Sequence, residues 1–368
     1  MAGHRTGSTG AAGTRAAVWR ADHPEDLTTM NEQDTTAARD ALAAVVRLSS
    51  GLVPWQGSHG PVVFLESAGH LEFGLGLRGA EGVVFSPGDP GTEEGVLGYE
   101  GGLAEPGDEF LAADTLFVYT QDYLATPFLA VAGPTIVRIG SAADYSGFLE
   151  DADLARAKGT FVEQLLHPGV FLADQCALGS AHPCPGTYRL HVSASGEVRT
   201  APGGRVLGTV TSQVPFDAGD EPCLAEVVEP EVLRRERARR PWLSRYLRAV
   251  EVLRDLRAAG RHGYTVSGFG HRLTPGLPVE LDEPADAPLL LWNDEEHLVC
   301  DLVRERVFRV GADAAKLVEL LLTGGSPARA CELAATHLGL DAATTADALD
   351  VLTGKLAGTA LPVTGAAA

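Results

Sequence analysis

The residues best suited to chemistry lie in the run Cys176-Ala-Leu-Gly-Ser-Ala-His182-Pro-Cys184-Pro-Gly186. Two thiols and an imidazole are ligands that zinc accepts, and Cys223 or His191 could complete a set of four. The spacing is not that of a Cys-x-x-Cys knuckle, no second pair follows, and Pro183 and Pro185 stiffen the loop. Cys176, His182 and Cys184 are therefore weak metal candidates beside a purely structural role, and no cofactor is expected. A second pattern, Gly74-Leu-Gly76-Leu-Arg-Gly79, has the spacing of a dinucleotide fingerprint. That chemistry needs a strand before the glycines and a helix N-terminus after them, where amides and dipole meet the pyrophosphate. Here Leu71-Glu-Phe73 and Gly82-Val-Val-Phe85 read as two strands, so a glycine-rich hairpin is expected instead. The chain has no Gly-x-Ser-x-Gly elbow, His-Glu-x-x-His helix or phosphate loop. Its acidic pairs, such as Glu93-Glu94 and Glu295-Glu296, fall in turns where carboxylates are usually solvated. No catalytic residue is nominated.

Composition narrows the classes further. A chain of 368 residues has room for two folded units at ~100–200 residues each. A net charge of -20 argues against a general nucleic-acid or anionic-membrane binder. Residues 288–368 carry eleven Asp/Glu against six Arg/Lys, whereas a DNA-binding unit would be basic. The five cysteines are widely spread, the first thirty residues hold no apolar signal core, and no apolar stretch is long enough to span a bilayer. A cytoplasmic protein with reduced thiols follows as the expectation.

These residues need elements to position them. Residues 1–34 lack periodicity and read as a disordered leader. Residues 35–229 read as an α+β, strand-rich N-terminal domain. It opens on a helix over 35–48 with Ala38, Leu42, Val45 and Val46 on one face. Short strands follow, among them Phe128–Val131, then helical segments over 143–157 and 160–167. Tyr188–Thr200 alternates around Ser195-Gly196 as a hairpin should. Residues 230–262 predict one amphipathic linking helix with a stripe of Trp242, Tyr246, Val250 and Leu253. It holds ten arginines against four acids. Such a run is usually a solvated face, and the sharper alternative is docking to an acidic partner or to the N-terminal domain. Gly268, Gly270 and Pro275-Gly276 form a hinge into a last unit over 270–362.

That unit has the clearest pattern. Pro288–Trp292, His297–Val303 and Arg306–Val310 are short branched and aromatic runs separated by charged turns, which read as hairpin-linked strands. From Asp313 the period becomes helical. Gly324-Gly325 stops one helix and Ser326-Pro327 opens the next. Gly339 closes that one, and Asp341 caps a third. Three strands and then three helices make a winged-helix-like unit.

The succession LLLWNDEEHLVCDLVRERVFRVGADAAKLVELLLTGG, a short helix, then DALDVLTGKLAGTALP resembles the PqqD-like recognition element of pathways for ribosomally synthesised, post-translationally modified peptides (RiPPs). The segment from His182-Pro-Cys-Pro-Gly to Gly203-Gly204, taken with this unit, is similar to the daptide-type recognition proteins. The resemblance implies a non-catalytic adaptor. It would bind a precursor's leader peptide and present it to tailoring enzymes, its partners, without nucleic acid or membrane. Docking would be strand addition to the edge Arg306, Val307, Phe308, Arg309 and Val310, with Leu349, Leu352, Thr353 and Leu356 of the last helix as the other wall. Two alternatives stand beside it. One is a tailoring enzyme with a fused recognition element, possibly metal-dependent; the other is a winged-helix transcription regulator.

Overall fold

The structure is a computed structural model that describes residues 32–51, 60–89, 91, 93–112, 116–179, 189–212, 222–301 and 306–356. Helix α1 (Glu32–Ser50) buries Ala41, Ala44, Val45 and Leu48 and ends at Gly51, whose φ of 66° suits glycine. Its buried stripe keeps Val45 of the expected face but turns toward Ala41 and Leu48. Strand β1 (Val62–Leu65) and strand β2 (Val83–Pro87) are parallel neighbours. Parallel strands cannot be joined by a tight turn, so a crossover must connect them. Helix α2 (Leu71–Arg78) is that crossover. This corrects the expected hairpin: the Gly74–Gly79 pattern is helical. Gly74 is needed there for close packing, since a Cβ would lie 3.1 Å from Leu65 and 3.2 Å from Val84.

Strands β3 (Val96–Gly101), β4 (Glu109–Ala112) and β5 (Leu116–Asp122) meander beside β2, and β6 (Thr135–Arg138) and β7 (Val170–Leu172) follow. Helix α3 (Ala142–Lys158) links β6 to β7, capped by the Ser141 hydroxyl at its start and by Gly159 at its end. The expected strand at Phe128–Val131 is absent. A 3-10 turn, Tyr123–Phe128, occupies its start, because Pro127 cannot donate to a ladder. The single-turn helix α4 (Gln175–Leu178) precedes the expected hairpin, β8 (Arg189–Val192) and β9 (Glu197–Arg199), to which β10 (Val206–Thr209) adds. Together they form a ten-stranded mixed sheet in the order β10-β9-β8-β1-β2-β3-β4-β5-β6-β7.

The expected single helix over 230–262 is two, α5 (Pro230–Arg239) and α6 (Leu243–Ala258). Pro241 explains the break: it offers no N–H and pushes Arg240 out of helical geometry. Nor are the arginines simply solvated. Arg245 and Arg254 are buried on α6, and Arg240 forks onto Asp153 of α3 at 2.8 and 2.7 Å. Strand β11 (Thr265–Val266) then starts a four-stranded antiparallel sheet with β12 (Leu289–Trp292), β13 (His297–Asp301) and β14 (Arg306–Val310), in that order. Helices α7 (Ala312–Gly324), α8 (Pro327–Leu338) and α9 (Ala342–Lys355) complete the chain described. Their ends follow the sequence signals. Gly325 and Gly339 take left-handed C-cap positions, and Ser326 and Asp341 accept from the Arg329 and Thr344 amides.

Strands β12 and β13 of the small sheet are buried on both faces, and alternation along the strands assigns each side chain. Leu290 and Val299 face α7–α9 in one cluster, with Phe308 and Val310 packed against it. Leu289, Leu291, Leu298 and Cys300 face the other way, into the large cluster built by Tyr246 and Leu253 of α6 with Phe148 of α3. Helix α6 is thus sandwiched, which is why it is buried over so much of its circumference, Arg245, Glu251 and Arg254 included. Polar ties reinforce the join. Arg245 donates to the Ala287 carbonyl at 2.8 Å and pairs with Glu283, which also takes Arg272. The buried Glu319 of α7 accepts from Ser267 Oγ and from the Leu273 and Thr274 amides at 2.5, 2.9 and 2.6 Å. Among the described residues no helix is long and apolar enough to cross a membrane.

Candidate functional site

The register of the small sheet determines what its last strand can offer. Asn293 N–H donates to the Glu296 carbonyl across the β12–β13 turn, so Asn293 and Glu296 form a hydrogen-bonded pair. Such pairs recur every second residue in an antiparallel ladder. Leu291 with Leu298 and Leu289 with Cys300 are therefore the next ones, and β13 turns His297, Val299 and Asp301 toward β14. Their partners are Val310, Phe308 and Arg306. By elimination the backbone N–H and C=O groups of Val307 and Arg309 point away from the sheet. The Ser267 amide on the Leu290 carbonyl, 2.9 Å long at the opposite edge of β12, fits the same alternation. Two outward donors and two outward acceptors are what an added strand requires.

Side chains on β14 divide as cleanly. Phe308 and Val310 are half-buried against the helical cluster, while Val307 stands 57% exposed. A large exposed valine on an uncovered edge is a liability unless something pairs with it. Arg306 is exposed on the Phe308 side. Arg309 is 70% exposed on the Val307 side and lies 3.4 Å from Glu296. That carboxylate already holds Arg261 and Tyr264, whose hydrogen bonds keep it below the usual carboxylate range. Beneath Val307, the Cys300 thiol is buried and pushed up to about 12, so it is inert at neutral pH.

The last helix does not line an open groove as expected. Leu349, Leu352 and Leu356 are buried in the helical cluster, and the Thr353 hydroxyl is bonded back to the Leu349 carbonyl at 2.8 Å. They stand behind Phe308 and Val310 in one core, so they shape the strand without presenting themselves. Among the described residues of α9 the large hydrophobic side chain left exposed is Val351, at 58%.

A second concentration of polar groups, missed in the sequence, lies under the large sheet. Asp174 has a φ of 53°, the one positive value outside glycine among the described residues. Its carboxylate meets Arg189 at 2.6 Å and Arg138 at 3.6 Å, all three buried. Burial pushes the Asp174 carboxyl up, and the two guanidiniums oppose that. Arg189 also donates to the Leu48 and Ser49 carbonyls at 2.7 Å, tying down the end of α1, and to Cys176 Sγ at 3.5 Å. Cys176 is thus walled in beside a cation, while His182 and Cys184 lie outside the described residues. Among the described residues no three His, Cys, Asp or Glu side chains are grouped to hold a metal. On the same sheet, His191 Nε2 lies 3.1 Å from Glu66 Oε1, and the Ala194 amide donates to Oε2 at 2.9 Å. His191 first, with the Ala194 amide, holds the Glu66 carboxyl below its ordinary value. These groups bind one another and the backbone, as structural networks do.

No protein-family model matches the chain, and neither does any curated protein or solved structure.

Proposed function

We propose that the chain is a non-catalytic adaptor that docks the extended leader of a ribosomally made peptide precursor along β14 and presents it to tailoring enzymes, in the manner of the PqqD-like element it resembles. The observation that supports this most is the last strand, which no other strand among the described residues covers, with the amides of Val307 and Arg309 directed outward and Val307 exposed. Strand addition takes its affinity from such backbone groups and its selectivity from alternate side chains. Partners would be the leader and the enzymes of a daptide-like pathway. The acidic surface of the unit fits a peptide ligand better than DNA.

Val307→Pro tests the docking edge in the full-length chain. Proline removes an outward donor and leaves the bonds of Arg306, Phe308 and Val310 to β13 in place, a position where strands tolerate it. Titration with the leader of a precursor encoded near the gene should give micromolar or tighter binding by the wild type and at least a tenfold loss in the variant, on the order of 1.4 kcal/mol. Equal binding by a variant with an unchanged circular dichroism spectrum would contradict the proposal.

A further inference from the structure

The edge carries its own charge, opposite in sign to the rest of its unit. Residues 288–368 hold eleven acids and six cations, yet Arg306–Val310 contains two arginines and no acid. On the helices of this unit, Lys316 pairs with Asp313 and Arg329 with Glu332, each an acid of its own helix. Arg309 donates to the Glu295 carbonyl at 3.3 Å and meets the rim of a carboxylate that Arg261 already occupies, yet stays 70% exposed, and Arg306, across the ladder from Asp301, is exposed as well.

From this we infer that the docking peptide is acidic at two positions three residues apart, with apolar residues between and beside them; the inference rests on the docking edge proposed above. A residue on an added strand shares the sheet face of the β14 residue it opposes. Opposite Val310, Arg309, Phe308, Val307 and Arg306, the complementary order is apolar, acidic, apolar, apolar, acidic. An antiparallel ligand reads that order from its N-terminus and a parallel one reads it reversed. Its two apolar residues opposite Phe308 and Val310 extend the helical core. The acid opposite Arg309 meets the solvent-facing side of that guanidinium, the acid opposite Arg306 pairs with the second, and the apolar residue opposite Val307 covers its exposed isopropyl group. Cross-strand pairs of opposite charge contribute modestly each, and like charges directly opposed are unfavourable. Reversing both arginines should therefore weaken an acidic peptide by about tenfold. The competing role for Arg306 and Arg309 is to blunt the edge against self-pairing, which requires no particular ligand.

The test is to pan a displayed library of random dodecapeptides on the immobilised full-length chain, then measure the enriched peptides by fluorescence anisotropy. We expect enrichment of two Asp/Glu at the stated spacing, about tenfold weaker binding to an R306E/R309E double variant, and further weakening at high salt. Peptides that lose binding to Val307→Pro but show no acidic spacing, or bind R306E/R309E as well as wild type, would overturn the charge pattern and leave the docking edge standing. Peptides indifferent to Val307→Pro, or no enrichment at all, would overturn the edge and this pattern with it.

Discussion

One outer strand of each sheet sets the contrast: β7 of the large sheet and β14 of the small one are finished in opposite ways. On β7 the Gly169 carbonyl and the Ala173 amide bond to β6, so Val170 and Leu172 face outward. Three of the four outward groups are met: the Val170 amide by the His167 carbonyl, the Val170 carbonyl by Arg254 at 3.0 Å, and the Leu172 carbonyl by Gln175 at 3.2 Å. The Arg254 guanidinium also lies 5.5 Å over the Phe171 ring. On β14 no such caps reach Val307 or Arg309 among the described residues. A chain that seals one edge with a buried arginine has the means to seal another, which makes the bare edge of β14 the informative one. The same contrast separates the polar groups. Around the large sheet they are internal, as in Asp174 with Arg189; on β14 the arginines face solvent.

The largest effect expected from this contrast concerns the small sheet as a whole. Excising residues 265–368 would uncover Leu289, Leu291 and Leu298, which the large unit buries. At roughly 1.5–3 kcal/mol per leucine, that forfeits on the order of 5–9 kcal/mol, comparable to a domain's whole stability. The fragment should aggregate or unfold without cooperativity in size-exclusion and thermal measurements. A monomeric fragment with a sharp transition would show that the unit owes nothing to α6. Smaller is the cost of opening the sealed edge: Arg254→Ala should destabilise the chain by about 2–3 kcal/mol in urea unfolding, the range for a buried bond to a charged group, and leave peptide binding unchanged. A change below ~0.5 kcal/mol would mean that the cap on β7 is ornamental.

The smallest effect is a pH dependence of the large sheet. Glu66 has its folded pKa depressed beside His191, so the stability it adds is present above the ordinary carboxylate value and is lost as pH falls through the folded one. With a third of the side chain exposed, the contribution is about 1 kcal/mol or less. The melting temperature of the wild type should exceed that of Glu66→Gln near pH 6, and the two should converge on acidification below about pH 4. Parallel curves would remove Glu66 from the account.

How much of this was legible differs between the units for physical reasons. In the last unit the signals are local. Ser326-Pro327, Gly325, Gly339 and Asp341 act on the turn they begin or end, and the Asn293–Glu296 turn fixes the register of β12 on β13. In the large unit the deciding contacts are distant. Leu71–Arg78 carries glycines and apolar residues that suit a strand as well as a helix, and only the parallel pairing of β1 with β2 demands the crossover. Arg245 reads as a solvated charge because its acceptors, the Ala287 carbonyl and Glu283, come some forty residues later. Leu349, Leu352 and Leu356 were assigned a groove where the packing makes a core, since a buried stripe and a binding wall have the same period. That Arg306–Val310 forms an edge follows from the resemblance and not from the residues themselves, for it depends on where α6 and α7–α9 stop covering the sheet.

Amide-resolved hydrogen exchange on the full-length chain, with and without saturating leader peptide, reaches the central claim most directly. In the free protein the outward amides of Val307 and Arg309 should exchange fast while those of Phe308 and Val310, bonded to β13, are protected. Saturating peptide should slow Val307 and Arg309 by at least tenfold. If the peptide binds and those two amides exchange as before, recognition lies elsewhere on the molecule and β14 is not the docking edge.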